Sequence, residues 1–551
     1  MVGSVPFIGQ FEFNGPMRKG ALKTLIALLL SMGVVSAQAT FTLPDELKTR
    51  DEIVWQGIVD GTFSAVDSHS WVQASTKPAA GKPGSNFLCT NFDDPNCQGK
   101  DAIIGHLVLS PCSALVTTSC IETLSVGRDS TSLAPASLQF EAMSQKIAAS
   151  EGTGLPGGGS VSLWSSQDLG SFLVVASIEY QKITTRKPFV SNFEVNLIPT
   201  VATADARLLA PVSKQIVENG RTNVTFDYPD SVRSSGAEVK NCLVVTDGYC
   251  FGRENFAEET RAKIVLRVPN AVTGWLFGRM KQPVIEVSKI DDESNRLSVE
   301  ATSTNVPNLF ATFPEAEVKS DPGILAWANS FFFEGDGELE KRLAQPGGWG
   351  GSSTGADKLE IHRWWGERLK TYGGPDMRFA TSTRWMFGST SMGNYSDDCF
   401  ADKTRLTGLV TTNAPFYESG PPKMVKGALN YVVAGPHHLA DGATLFKGVY
   451  DLAIRSDAAR CIYGFTDAPL RAEVTVTSAD GTVQDISTES MTERDGWIRL
   501  GAYNFTFSEP TVKVKFTQAS KKSSKKSVLC VKGKTTKKFM GSKCPKGYKK
   551  A

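Results

Sequence analysis

Apolar and polar residues alternate along much of the chain. Ala472, Val474 and Val476 alternate with Glu473, Thr475 and Thr477, and Val512, Val514 and Phe516 alternate with Lys513 and Lys515. A period of two sends one side of a strand inward and the other into water. Ala479-Asp480-Gly481-Thr482 and Asp495-Gly496 supply turns between these runs, and Trp497, Ile498 and Leu500 follow the second turn. Residues 464–518 are therefore expected to form an immunoglobulin-like sandwich. Upstream, 172–180 (FLVVASIEY), 193–198 (FEVNLI), 224–228, 264–268 and 284–290 are rich in β-branched or aromatic residues and bounded by Gly, Pro, Asn or Asp.

One stretch breaks the pattern. Leu359, Ile361, Trp365 and Leu369 lie mostly at helical spacing, with His362, Arg363, Glu367 and Lys370 between them, and Gly373-Gly374-Pro375 ends the run. Residues 338–344 are a shorter helical candidate, and 346–355 form a glycine-rich link around Trp349. The predicted fold class is mainly β: multidomain β-sandwiches with a small helical insertion and an immunoglobulin-like C-terminal sandwich. The expected organisation is a signal peptide at 17–39, a disulfide-containing β domain at 40–205, a β domain at 206–319 and the helical Gly/Trp-rich insertion at 320–375. A β region at 376–463, the sandwich at 464–518 and a lysine-rich tail at 519–551 complete it.

The signal peptide rests on Arg18, Lys19 and Lys23 ahead of an apolar run at 25–35 (LIALLLSMGVV), then Ala37-Gln38-Ala39 as a small-residue cleavage site. The apolar run is too short to span a bilayer, which takes about 20 residues. Met17 is an alternative start. The ten cysteines all follow the expected cleavage site, which fits an oxidising compartment. Cys89 and Cys97, Cys112 and Cys120, and Cys242 and Cys250 are each eight apart. The last pair reads as a β-hairpin turning at Thr246-Asp247-Gly248, with the two cysteines facing each other. Cys399 with Cys461 and Cys530 with Cys544 complete the expected set, and Cys89–Cys120 with Cys97–Cys112 is an equally open connectivity. No C-x-x-C spacing points to zinc or to a redox motif.

Charge is unevenly spread. The net charge is +2, but residues 521–551 carry 12 lysines and no acid, leaving residues 40–520 at about −12. Lysine is a flexible, hydrated point charge and lacks the geometric fork of arginine. Such a tail suits loose attraction to a polyanion and not base readout, so no specific nucleic-acid partner is expected. The polyanion-binding candidates are Lys532, Lys534, Lys537, Lys538, Lys543, Lys546, Lys549 and Lys550, presented on a disulfide-closed hairpin turning near Lys532-Gly533-Lys534.

Catalytic motifs are weak. Gly152-Thr-Gly154-Leu-Pro-Gly157 matches G-x-G-x-x-G, but Pro156 and the glycine run favour a loop over the strand–turn–helix of a dinucleotide site. Gly351-Ser-Ser353-Thr-Gly355 matches a nucleophile-elbow pattern, with His362, His437 and His438 downstream, yet no strand leads into it. His437-His438 with Asp441 is the one histidine cluster. Glu334, Asp336 and Glu338, and Asp291-Asp292-Glu293, are candidate calcium carboxylates outside any EF-hand pattern. No catalytic, cofactor or metal residue is assigned. Trp349 and Trp364 are the candidate ligand surface for a carbohydrate or protein, whereas Trp365 and Trp385 are expected in the core.

The tail pattern Cys530-Val-Lys-Gly-Lys-Thr-Thr-Lys-Lys538 followed by Lys543-Cys-Pro-Lys-Gly-Tyr-Lys-Lys550 resembles the lysine-rich C-termini of secreted actinobacterial proteins. The likeness covers about residues 525–551 and implies export and retention at a cell envelope. The expected function is that of a secreted surface or extracellular binding or structural protein, held near an anionic envelope polymer and without a membrane span. The alternative is a secreted hydrolase of polysaccharide or peptide, with Ser353 or paired carboxylates in one cleft.

Overall fold

The computed structural model describes residues 52–58, 70–77, 84–142, 146–183, 187–203, 212–218, 221–227, 242–246, 249–314, 378–389, 399, 405–417, 420–435, 437–438, 444–467, 470–507, 510–518, 527–540 and 543–551. The signal segment 17–39, the insertion 320–375 with Trp349, Trp364, Ser353 and His362, and the acids Glu334, Asp336, Glu338 and Asp441 lie outside the described residues.

The chain is mainly β, and its expected strands form. The alternating stretch at 472–476 lies in strand Leu470–Thr477, which pairs with Thr511–Gln518 so that Ala472 faces Phe516, Val474 faces Val514 and Val476 faces Val512. Same-side partners across a ladder are the unit of sheet stability. A 15-stranded sheet forms the spine of the molecule. Edge to edge its main path is Ser487–Arg494, Trp497–Thr506, Lys447–Arg455, Leu406–Thr412, Gly274–Arg279, Met386–Ser389, Phe189–Thr203, Gly170–Ile183, Ala102–Val108, Trp71–Ser75 and Asn86–Cys89.

Two smaller sheets cover this spine. A five-stranded sheet orders Lys281–Lys289, Ser294–Thr302, Arg261–Pro269, Cys120–Gly127 and Ala134–Pro135. Its Ile264, Leu266, Leu297 and Val299 share a core with Val174, Ala176, Val195 and Leu409 of the spine. A second five-stranded sheet contains Phe416–Tyr417, Lys423–Val425, Ala428–Ala434, Thr511–Gln518 and Leu470–Thr477. It packs Leu429, Tyr431, Val512 and Val514 against Val410, Tyr450, Leu452 and Ile498. Each fully buried large apolar side chain contributes about 1.5–3 kcal/mol relative to exposure.

Four spine strands serve both cores. Leu276 and Trp275, Leu409 and Val410, Ala453 and Leu452, and Trp497 and Ile498 are neighbours in sequence that enter different cores. Every residue of Leu406–Thr412 is buried.

Strand pairing runs across the expected segments. Residues 464–518 do not close on themselves. Trp497–Thr506 pairs with Lys447–Arg455, and Thr511–Gln518 pairs with Ala428–Ala434, so both sheets continue into 376–463. Likewise Cys120–Gly127, from 40–205, pairs with Arg261–Pro269 from 206–319. Pairing with a distant strand satisfies the row of backbone N–H and C=O groups that an edge strand of a closed local sandwich would leave open. The 376–463 region also ends in a helix, Ser456–Tyr463, which Gly464 stops in the left-handed conformation (φ 62°).

Disulfides join Cys89–Cys97, Cys112–Cys120, Cys399–Cys461 and Cys530–Cys544, with Cα separations of 6.0, 5.0, 5.8 and 5.8 Å. The nested alternative among the first four cysteines is not adopted. Cys242–Thr246 and Tyr249–Arg253 form the expected hairpin, but Cys242 pairs with Gly252 and Cys250 with Val245. Thr246 opposes Tyr249, which sets Cys250 opposite Val245, so the two cysteines are not directly opposed; a bulge between Cys242 and Val244 brings Cys242 one residue closer to Cys250. Their side chains lie outside the described residues.

Candidate functional site

The C-terminal segment folds into its own three-stranded sheet. Ser527–Lys532 is the central strand, with Thr535–Met540 on one side and Lys549–Lys550 on the other. Gly533 adopts φ 62° in the two-residue turn before Lys534, a conformation that costs glycine little. Gly547, at φ 93°, helps turn the last strand back after Tyr548 N–H has bonded Pro545 O at 3.0 Å.

A small buried centre holds this unit together. Val528 and Cys530 are buried, and the Cys530–Cys544 bond ties the central strand to the following loop. Phe539 and Tyr548 meet edge to face at 5.0 Å, and Lys532 Nζ stands 5.7 Å from the Tyr548 ring centre. Aromatic pairs of this geometry contribute about 0.5–1.5 kcal/mol beyond their burial.

The register distributes the charge. Lys537 and Lys550 stand directly opposite Cys530 from either side. Lys538 pairs with Leu529, and Lys549 with Val531, one residue along on each side. Successive residues of a strand point to opposite faces. Lysines therefore emerge on both faces, and Lys534, Lys543 and Lys546 add charge at the turns. All eight candidate lysines are exposed. Adjacent strands lie about 4.8 Å apart, so the backbones of Lys537 and Lys550 are about 10 Å apart across the centre. That distance is near one screening length at ordinary salt, about 8–10 Å. The result is a compact polycation with lysines on each side.

The third strand and the Phe539–Tyr548 contact were not anticipated from sequence, although Pro545-Lys546-Gly547 is a turn signal able to return the chain.

The remaining candidates take structural places. In the Gly152–Gly157 loop, Gly152 N–H bonds Asp93 Oδ2 at 2.9 Å, and bridges pair Ser150 with Leu155 and Ile147 with Gly158. No helix follows; the chain enters strand Ser162–Ser166. Asp291 Oδ1 accepts Glu293 and Ser294 N–H at 2.8 and 2.7 Å, and these bonds hold its carboxyl below the ordinary aspartate range. Asp292 pairs with Lys289 at 2.5 Å, so two of the three acids, Asp291 and Asp292, are engaged by neighbouring residues. His437 Nδ1 is 2.7 Å from Phe507 O, and the His437 and His438 rings meet edge to face at 4.7 Å. Among the described residues no three His, Cys, Asp or Glu side chains converge as a metal site. Trp385 is buried, donating Nε1–H to Ala301 O at 2.9 Å. No described helix is long and apolar enough to cross a membrane.

No protein-family model matches the chain, and neither a curated protein nor a solved structure matches it.

Proposed function

We propose that the protein is secreted and that its C-terminal lysine sheet holds it at an anionic polymer of a cell envelope. The reading rests on eight exposed lysines with no acid among them, borne by a disulfide-tied sheet. The four disulfides among the described residues fit an oxidising exterior. The envelope assignment draws on the likeness of the tail to secreted actinobacterial C-termini.

Charge asymmetry then sets orientation. A polyanion attracts the tail and repels a body of about −12. The protein is held by its end, with its sandwiches facing away from the polymer. Because the contacts are screened point charges, no shaped phosphate pocket is required.

The test is sedimentation with isolated actinobacterial cell walls, comparing the full chain with a form lacking residues 521–551. Binding of the full chain is expected at about 0.1 M salt and its loss at about 1 M, where the screening length falls from about 10 to about 3 Å. The truncated form is expected to stay in solution. Retention that survives both truncation and high salt overturns the proposal.

A further inference from the structure

The central strand of the C-terminal sheet, Ser527–Lys532, is apolar on both of its sides. Val528, Leu529, Cys530 and Val531 follow one another with no polar residue between them. An antiparallel strand with one side in water alternates apolar-in and polar-out. One core therefore accounts for half of this run and leaves the other half over.

The two sides differ. Residues directly paired across an antiparallel ladder share a side. One side holds Val528 with Phe539, and Cys530 with Lys537 and Lys550. The sheet closes that side with its own groups, the Cys530–Cys544 bond and the Phe539–Tyr548 contact, and Val528 and Cys530 are buried there. The opposite side holds Leu529 beside Lys538, and Val531 between Thr536 and Lys549. Here Leu529 is 53% exposed and Val531 is half-buried. A lysine thus stands on each flank of an open apolar stripe, Lys538 on one neighbouring strand and Lys549 on the other.

That combination selects a partner. A hydrated polyanion answers the lysines and offers the leucine nothing. A bilayer surface with anionic head groups answers both. Lysine reaches a head group on a flexible apolar stem, while an aliphatic neighbour enters the acyl boundary. No acid within 521–551 opposes the approach, and the negative body is repelled from the same surface.

We propose that the Leu529 side of the C-terminal sheet seats on an anionic lipid bilayer, with Leu529 at the acyl boundary and Lys538 and Lys549 at the head groups. The proposal rests on the reading of the tail as a polyanion-seeking element and gives one of its sides a lipid contact. The attachment is peripheral and reversible, as befits one leucine and a few lysines.

The experiment is co-sedimentation of the full chain with lipid vesicles at about 0.1 M salt. The probe is phosphatidylcholine with about one-quarter phosphatidylglycerol, compared with pure phosphatidylcholine and with lipid-free cell walls. The full chain is expected on the anionic vesicles and not on the neutral ones. Leu529→Ser keeps every lysine; it is expected to weaken vesicle binding at least about fivefold and to change wall retention less than about twofold. Leu529→Phe is expected to strengthen vesicle binding at least about twofold. Lys538→Glu with Lys549→Glu, and Lys537→Glu with Lys550→Glu, change the charge equally on opposite sides. The first pair is expected to weaken vesicle binding at least about threefold more than the second. A chain that sediments with walls but not with vesicles overturns the lipid contact and leaves wall attachment standing. Equal vesicle binding by the unaltered chain and both Leu529 variants, or equal losses for the two lysine pairs, also overturns it. Vesicle binding by a chain that fails to sediment with walls supports the lipid contact and removes the polymer reading.

Discussion

Tyr503 donates its phenolic hydrogen to Asp451, a carboxylate buried between two sheets. The pair meets over Gly501, which lies directly opposite Asp451 in the ladder. A Cβ at Gly501 would come within 2.7 Å of Asp451 Oδ1 and would also strike the Tyr503 hydroxyl. Tyr503→Phe takes one donor from a buried carboxylate and is expected to cost about 1.5–3 kcal/mol. Gly501→Ala overpacks the same spot and is expected to cost about 1–3 kcal/mol. Denaturant unfolding of both variants and the double variant checks this. The two losses are expected to be non-additive, since both act on one contact.

Glu122 predicts an acid-sensitive joint. It bonds Arg267 at 2.5 Å and Arg296 at 2.8 and 3.0 Å, and so ties together three neighbouring strands. Burial opposes its ionisation, but hydrogen bonds and charge from Arg296 and Arg267 outweigh this and hold its carboxyl below the ordinary glutamate range. A carboxyl with a depressed folded pKa stabilises above its unfolded value, and that stability is lost as pH falls through the folded one. Glu122→Gln is expected to destabilise the protein near pH 7 and to flatten the acid limb below about pH 4.3, the unfolded glutamate value. Parallel limbs for the two proteins would contradict this.

An alkaline limb is expected from Tyr180. Burial pushes its hydroxyl up to about 12, against a lowering bond with Ser119. A raised folded pKa gives stability that is complete below the unfolded value of about 10 and declines as pH rises toward 12. Tyr180→Phe is expected to lessen the loss of stability over that window, read from unfolding midpoints at successive pH values.

These polar anchors show where sequence reading stops. The alternation at 472–476 and 512–516 was legible because one side of those strands faces water. In Leu406–Thr412 both sides are buried and the period vanishes. Nothing local tells that Phe193 N–H bonds Ser389 Oγ or that Val195 pairs with Phe387, because strand pairing is non-local. Nothing in the local sequence marks Arg279 or Asp451 as buried, yet both are. The helix Ser456–Tyr463 was hidden because no side-chain cap marks its start, directly after a strand. The tail was the most legible part, since its turn glycine and cysteines act within a few residues of one another.

Arg279 is the strongest of the hidden anchors. Fully buried, it donates to Ala414 O, to Thr412 O at 3.3 Å and to Pro415 O at 3.2 Å, with its guanidinium 4.6 Å from the Tyr417 ring centre. Arg279→Ala is expected to cost about 3–5 kcal/mol, because buried carbonyls lose donors and a cavity opens. Arg279→Lys keeps the charge without the planar fork and is expected to recover less than half of that loss in denaturant unfolding.

Charge and fold are separable in the tail. Cys530→Ser with Cys544→Ser removes a crosslink spanning 14 residues, worth roughly 3 kcal/mol in the chain-entropy model, and leaves all eight lysines of the sheet. Trypsin is then expected to cut within 527–551 at least about tenfold faster, as seen by mass spectrometry. Sedimentation with cell walls at low salt is expected to change by less than about threefold, because screened point charges need no fixed shape. Lys537→Glu with Lys550→Glu does the reverse. It keeps the disulfide, changes the net charge of the sheet by four and places carboxylates on both sides of Cys530. Its wall retention is expected to fall sharply with the trypsin rate nearly unchanged. A serine variant that loses retention while the glutamate variant keeps it would mean that a shaped surface, and not its charge, makes the contact.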